Sequence, residues 1–150
     1  MKIAIGSDHG GYALKKELLP LLEEMDVEFV DFGCHDESSC DYPDYAFMVA
    51  EAVADGTYDY GILVCGTGIG ISIAANKVDG IRCALCTDAT MARLTREHND
   101  ANVLAMGGRI VGAELAKDIV RAFLQTPFSQ GARHQKRVDK IMAYKGDAGK

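Results

Sequence analysis

No apolar run in this chain approaches the length that spans a bilayer, and its opening MKIAIGSD has no signal-peptide pattern. A cytoplasmic protein is expected. Positive charge is not in excess. Lys and Arg number 16 against 22 Asp and Glu, a formal charge of −6, which argues against a general nucleic-acid binder or an anionic membrane surface as partner. The five cysteines are an odd number at irregular spacing, so there is no disulfide framework to read. Cys83 and Cys86 form a C-x-x-C inside IRCALCT, but residues three apart on a strand face opposite ways, which argues against a redox pair. Cys34, His35, Asp36, Cys40 and Asp41 cluster in sequence without matching a zinc-site spacing, and no metal is expected. Repeats, low-complexity segments and linkers are lacking too. At 150 residues, 48% apolar and 25% charged, the chain reads as one domain over 1–150 with a full core.

What is present centres on Tyr60 to Lys77, YGILVCGTGIGISIAANK. Ile62, Leu63 and Val64, bounded by Gly61 and Gly66, read as a strand buried on both faces. Gly66, Gly68 and Gly70 then alternate into a helix of small residues. A strand turning through glycines into a helix N-terminus suits an anion, because the backbone can approach closely and N–H groups point at the ligand. The pattern is neither Gly-x-Gly-x-x-Gly nor a P-loop, since no Gly-Lys-Ser/Thr follows. Cys65 ends the strand. A helix N-terminus stabilises a thiolate, which makes this cysteine a candidate base or nucleophile. The plainer alternative is a small core residue.

Around this stretch the chain alternates strands and helices. Strands are predicted at Lys2–Ser7, Val27–Gly33, Ile81–Cys86 and Asn102–Met106. The first helix carries Leu14, Leu18, Leu21, Leu22 and Met25 at helical spacing with lysines and glutamates opposite, and Pro20 should kink or divide it. A polar loop covers Cys34–Asp41, and Pro43 opens a helix that stops at Gly56. Asp88 caps a helix running to about residue 99, Gly112–Leu124 is a helix, and one more runs from about Ser129 to Tyr144. The expected fold is α/β, a three-layer, doubly wound, five-stranded parallel sheet of flavodoxin or Rossmann-like type, in the order 2-1-3-4-5 with an extra C-terminal helix. That order puts the switch point between strands 1 and 3, whose carboxyl ends carry Asp8-His9 and Cys65-Gly66-Thr67-Gly68.

Other candidates lie further out. His98 ends its helix in line with Met91 and Leu94/Thr95, as a ligand or as a satisfied, partly buried histidine. Asp8 could serve only as an N-cap. Arg133 and Arg137, four apart on one helix face, could grip an anion or form part of a solvated basic face with His134, Lys136 and Lys140. Arg109 follows the fifth strand at a carboxyl end. Val138, Ile141 and Met142 would give the last helix an apolar side to bury against another subunit.

The segments GSDHGGYALK, DYPDYA, CGTGIGISIAANKVDGIRCAL, REHNDANVLAMGGRIVG and GARHQKRVDKI resemble the type-B ribose-5-phosphate isomerases. That family shares its fold with the galactose-6-phosphate isomerase subunits and the allose-6-phosphate isomerases. The segments span nearly the whole chain in the family's order. The resemblance implies interconversion of ribose 5-phosphate and ribulose 5-phosphate in pentose phosphate metabolism, through an enediolate. By the same resemblance Cys65 is the base between C2 and C1, and His98 aids ring opening. Thr67 and the backbone of Gly66, Gly68, Ile69 and Gly70 form an oxyanion hole. Asp8, His9 and Tyr42 contact the sugar, and Asn99, Arg109, Arg133 and Arg137 are further contacts, the arginines mainly at the phosphate. It also implies a homodimer whose subunits share each site, with pairing into tetramers left open, and no metal or organic cofactor. One branch uses a glutamate base; Cys65 places this chain with the cysteine branch.

Two rivals stand beside this reading. One is an isomerase of a six-carbon sugar phosphate, allose 6-phosphate or galactose 6-phosphate. The other is a non-catalytic sugar-phosphate-binding protein, which would keep the glycine loop and arginines but has no need of Cys65 or His98. The loop 34–40 has no assigned role.

Overall fold

A computed structural model describes residues 1–146; the last residues of the expected domain, 147–150, lie outside them. In chain order the elements are β1 Lys2–Ser7, α1 Tyr12–Glu24, β2 Glu28–Asp31, α2 Tyr42–Ala54, β3 Tyr60–Cys65, α3 Ile69–Ala75, β4 Cys83–Leu85, α4 Ala89–Asn99, β5 Val103–Gly107, α5 Ala113–Gln125 and α6 Ala132–Ala143. The strands form one parallel sheet in the order β2-β1-β3-β5-β4.

Side-chain alternation along the central strands sorts the core into two halves. Ile3, Ile5, Ile62, Val64, Leu104 and Met106 face α1, α4 and α5 with Leu18, Ile119 and Phe123. Ala4, Leu63, Cys65, Val103 and Ala105 face α2 and α3 with Val49, Ala50 and Ile71. Large residues thus fill one face and smaller ones the other, so α2 and α3 lie close over the strands. Cys83 and Cys86 fall on opposite faces, as the strand period requires, and burial pushes the Cys86 thiol up to about 12. No helix among the described residues is long and apolar enough to cross a membrane.

Four expectations change. The last two strands exchange places: β5 lies between β3 and β4 where 2-1-3-4-5 was expected. All five residues of β5 are buried, whereas β4 has three half-buried residues, and the fully buried strand takes the inner position while the short one takes the edge. The predicted strand Ile81–Cys86 shortens because its first N–H groups are taken by side chains, Arg82 N–H by Asn102 Oδ1 and Cys83 N–H by Asn76 Oδ1. Pro20 does not divide α1; it sits on the exposed side, where the Lys16 carbonyl it leaves unpaired can meet water. Lys15 is fully buried instead of lying on a polar face. Its Nζ bonds Asp31 Oδ1 at 2.7 Å and the Cys34 carbonyl, tying the loop after β2 to α1.

Candidate active site

The revised strand order decides what surrounds Cys65. It ends β3 beside Gly107 of β5, and the chain continuing from β5 clasps the loop, Gly108 N–H bonding the Cys65 carbonyl at 2.8 Å and Arg109 N–H the Gly66 carbonyl at 3.0 Å. On the other side Asp8 N–H bonds the Val64 carbonyl at 3.2 Å, and the largely buried Asp8 carboxylate accepts the Gly11 N–H at 3.0 Å. Asp8, Cys65, Gly66 and Arg109 are therefore neighbours, with the Arg109 guanidinium over Gly66. The expected order would have put Arg109 a strand further away.

Within the loop, the Gly68 N–H donates to Cys65 Sγ at 3.1 Å, and the Ile69 N–H donates to Thr67 Oγ1 at 3.2 Å. Tyr42 covers Gly70, where an added Cβ would meet its ring at 2.6 Å. His9 is anchored by the Cys40 N–H, which donates to its Nδ1 at 3.2 Å; its Nε2 then carries the hydrogen when the ring is neutral. Gly68 has φ +77°, and a Cβ there would lie 2.6 Å from Leu85 Cδ1 and 2.7 Å from the Met106 carbonyl carbon. Left-handed strain and overpacking together set the cost of Gly68→Ala at roughly 3 kcal/mol. A thermal melt should show Tm lower by roughly 6–12 °C.

The remaining candidates gather elsewhere. His98 and Asn99, at the end of α4, line a cavity of about 430 Å³ with Leu94, Thr95, His134 and Arg137. Its other walls include Leu85 and Cys86, at the open edge of the sheet, and none of Asp8, His9, Cys65 or Thr67 lines it. Arg133 lies on the same helix, its Nε 3.5 Å from His134 Nε2. His134 was legible only as part of a basic run. In the structure its ring stacks on His98, centroids 4.3 Å apart and planes at 10°. Burial, with His98, Arg133 and Arg137 around it, holds it below the ordinary imidazole range. The available signal was its spacing of three from Arg137, which puts both on one helix face. The last helix packs against α4; its Val138 is already buried within the chain, whereas Ile141 stays exposed.

Two chemistries thus sit in two places. One is a sulfur beside N–H donors, a carboxylate and a guanidinium. The other is a histidine pair with an amide and two arginines. The ribose/galactose isomerase family model matches residues 3–141. The chain belongs to this family. It is 54% identical to ribose-5-phosphate isomerase B of Escherichia coli, covering 95% of each chain. It superposes on ribose-5-phosphate isomerase B of Clostridium thermocellum with a TM-score of 0.92, 58% identity and 95% coverage of both. The Mycoplasma genitalium enzyme of that name, solved with bound ribulose-5-phosphate, matches at TM-score 0.91 and 43% identity, again over 95% of each.

The Cys34–Asp41 loop, which had no assigned role, meets the Cys65 centre through Cys40, whose N–H anchors His9. Cys34 is buried with its sulfur 3.8 Å from Ser7 Oγ and 3.2 Å from the Asp36 carbonyl, and burial is the main cause that raises its thiol. Among the described residues no group of three or more His, Cys, Asp or Glu is placed to hold a metal ion.

Proposed function

We propose that the chain is a ribose-5-phosphate isomerase acting as a homodimer with each site built from both subunits. In this reading Cys65 takes the proton from C2 of the open-chain aldose and returns it to C1. Thr67 and the N–H groups of the Gly66–Gly70 loop meet the charge developing on the carbonyl oxygen. Asp8, His9 and Tyr42 hold the sugar, His98 of the partner assists ring opening, and Asn99 is a further substrate contact. Arg109, Arg133 and Arg137 hold the phosphate. The isomerisation is an internal proton shift, and these residues supply a base, an acid and an anion cradle.

The observation that carries the reading is the Cys65 sulfur held at 3.1 Å by a loop N–H, in a chain 43% identical to a protein solved with ribulose-5-phosphate. The sharing of sites is supported by the separation of the two residue groups. It is supported also by exposed Ile69, Ile73, Met91 and Ile110 on α3, α4 and the turn after β5, apolar surface that a second copy would cover. Five free cysteines fit a reducing, cytoplasmic location.

The test is an aldose-to-ketose assay on ribose 5-phosphate, allose 6-phosphate and galactose 6-phosphate. We expect kcat/KM to favour ribose 5-phosphate by at least about tenfold, what one added carbon is worth in a fitted pocket. A six-carbon preference would replace the substrate and keep the chemistry. No turnover by an intact protein would leave a sugar-phosphate-binding protein.

A further inference from the structure

His98 and Asn99 occupy the last turn of α4, where helical carbonyls have no partner within the helix. The chain then leaves through Asp100, in the left-handed region at φ 46° and ψ 44°, a conformation a residue with a side chain seldom adopts. The Asp100 and Ala101 N–H groups close the turn on the Thr95 carbonyl, which leaves the Asn99 and Asp100 carbonyls for a partner outside the helix. Arg82, just before β4, is that partner. Its Nε donates to the Asn99 carbonyl at 3.1 Å and to the Asp100 carbonyl at 3.0 Å, and its Nη2 donates to the Asp100 carbonyl at 2.7 Å. The Nη2 also lies 3.4 Å from Asp100 Oδ2.

Arg82 is itself fixed, through its N–H to Asn102 Oδ1 at 2.8 Å, while Asn102 Nδ2 donates to the Gly80 carbonyl at 2.9 Å. From the other side Arg96, largely buried over the Tyr60 ring, donates to Asp100 Oδ1 at 2.9 Å. Two guanidinium groups thus grip one turn, and cations at a helix C-terminus also meet its dipole favourably. Arg82 does not line the His98 cavity; it holds the turn from behind.

We propose that Arg82 is a positioning residue for the His98–Asn99 half of the site, acting through the carbonyls of Asn99 and Asp100. The role in turnover rests on the isomerase reading above. Misplacing a reacting group by about 1 Å costs on the order of a hundredfold, and Arg82→Ala is expected to lower kcat/KM for ribose 5-phosphate by about that factor. Arg82→Lys restores one charged donor but not the fork, and should recover part of the loss.

The deciding measurement is a double-mutant cycle. If Arg82 works through His98, Arg82→Ala should cost no more than about threefold in a His98→Ala background. A full hundredfold loss there would overturn the proposal. Arg82→Gln, which keeps a stem and a donor, is carried through the same cycle so that poor folding of the alanine variant does not decide the result. Mixed dimers locate the effect. A dimer of one Arg82→Ala and one Cys65→Ala chain should regain one working site, whereas Arg82→Ala paired with His98→Ala should regain none. Where the control dimer of Cys65→Ala with His98→Ala is active, rescue by the His98→Ala chain instead, or by neither, would also overturn it. The control dimer of Cys65→Ala with His98→Ala reports on site sharing alone. If that control stays inactive, sharing fails and the cycle still judges Arg82.

Discussion

Cys65→Ala is expected to lower kcat for ribose 5-phosphate by about 10²–10⁴-fold, the contribution of a positioned general base, while the dissociation constant for ribose 5-phosphate changes by less than about threefold. The two effects separate because of where the sulfur sits. Cys65 is almost wholly buried at the end of β3, and its side chain meets the loop through one contact, the Gly68 N–H. The backbone that would cradle an anion is held by other bonds. The Cys65 and Gly66 carbonyls are tied to Gly108 and Arg109, and Gly68 is wedged between Leu85 and Met106. Removing Sγ therefore removes a proton acceptor and leaves the cradle. Cys65→Ser sharpens the test, since its hydroxyl can still accept the Gly68 N–H but is a far poorer base than a thiolate. Calorimetric binding and a steady-state assay on both variants give the two numbers. Turnover within tenfold of the parent in either variant would remove Cys65 as the base, and lost binding would make it a structural residue.

Much of this centre was readable from residues alone because its signals are local. The run Ile62–Val64 between glycines marks a buried strand, and alternating glycines after it mark a loop that backbone approaches closely. The β1–β3 neighbourhood then follows from topology. The order of the last two strands was not readable in that way. IRCALC and NVLAM are apolar runs of similar length, and what shortens the first is a set of side-chain bonds from Asn76 and Asn102, which no period reveals. Lys15 failed for a related reason: helical spacing marked its face as polar, but its partner Asp31 comes from a later strand. His134 was hidden by company, one imidazole among four cations on a helix, and only packing on His98 distinguishes it. Arg82 reads as an interruption in a strand until the turn it holds is in view.

Mixing two inactive proteins should produce an active one. Cys65→Ala and His98→Ala homodimers are each expected to be poor enzymes, yet dimers of one chain of each should hold one site with both residues intact and one lacking both. Random pairing makes half the dimers mixed, so bulk activity should approach about a quarter of the parent's, as two-fold symmetry with two equivalent sites requires. The expectation follows from geometry within one chain. Asn99 and Asp100 are bonded to Arg82, which immediately precedes β4, and Asn102, which holds Arg82, immediately precedes β5. The end of α4 is therefore tied to the amino-terminal ends of β4 and β5, whereas Cys65 closes the carboxyl end of β3. Two strands, β5 and β4, also separate it from the open edge where the His98 cavity lies. On the proposed reading one sugar needs both a proton acceptor and a ring-opening acid beside it, and with the two groups apart in one chain the acid facing Cys65 is expected from a second copy. Mixed dimers purified with two different tags would give the value directly. Activity no higher than the sum of the two parents, with dimers intact, would mean that His98 does not serve the Cys65 centre of the partner chain.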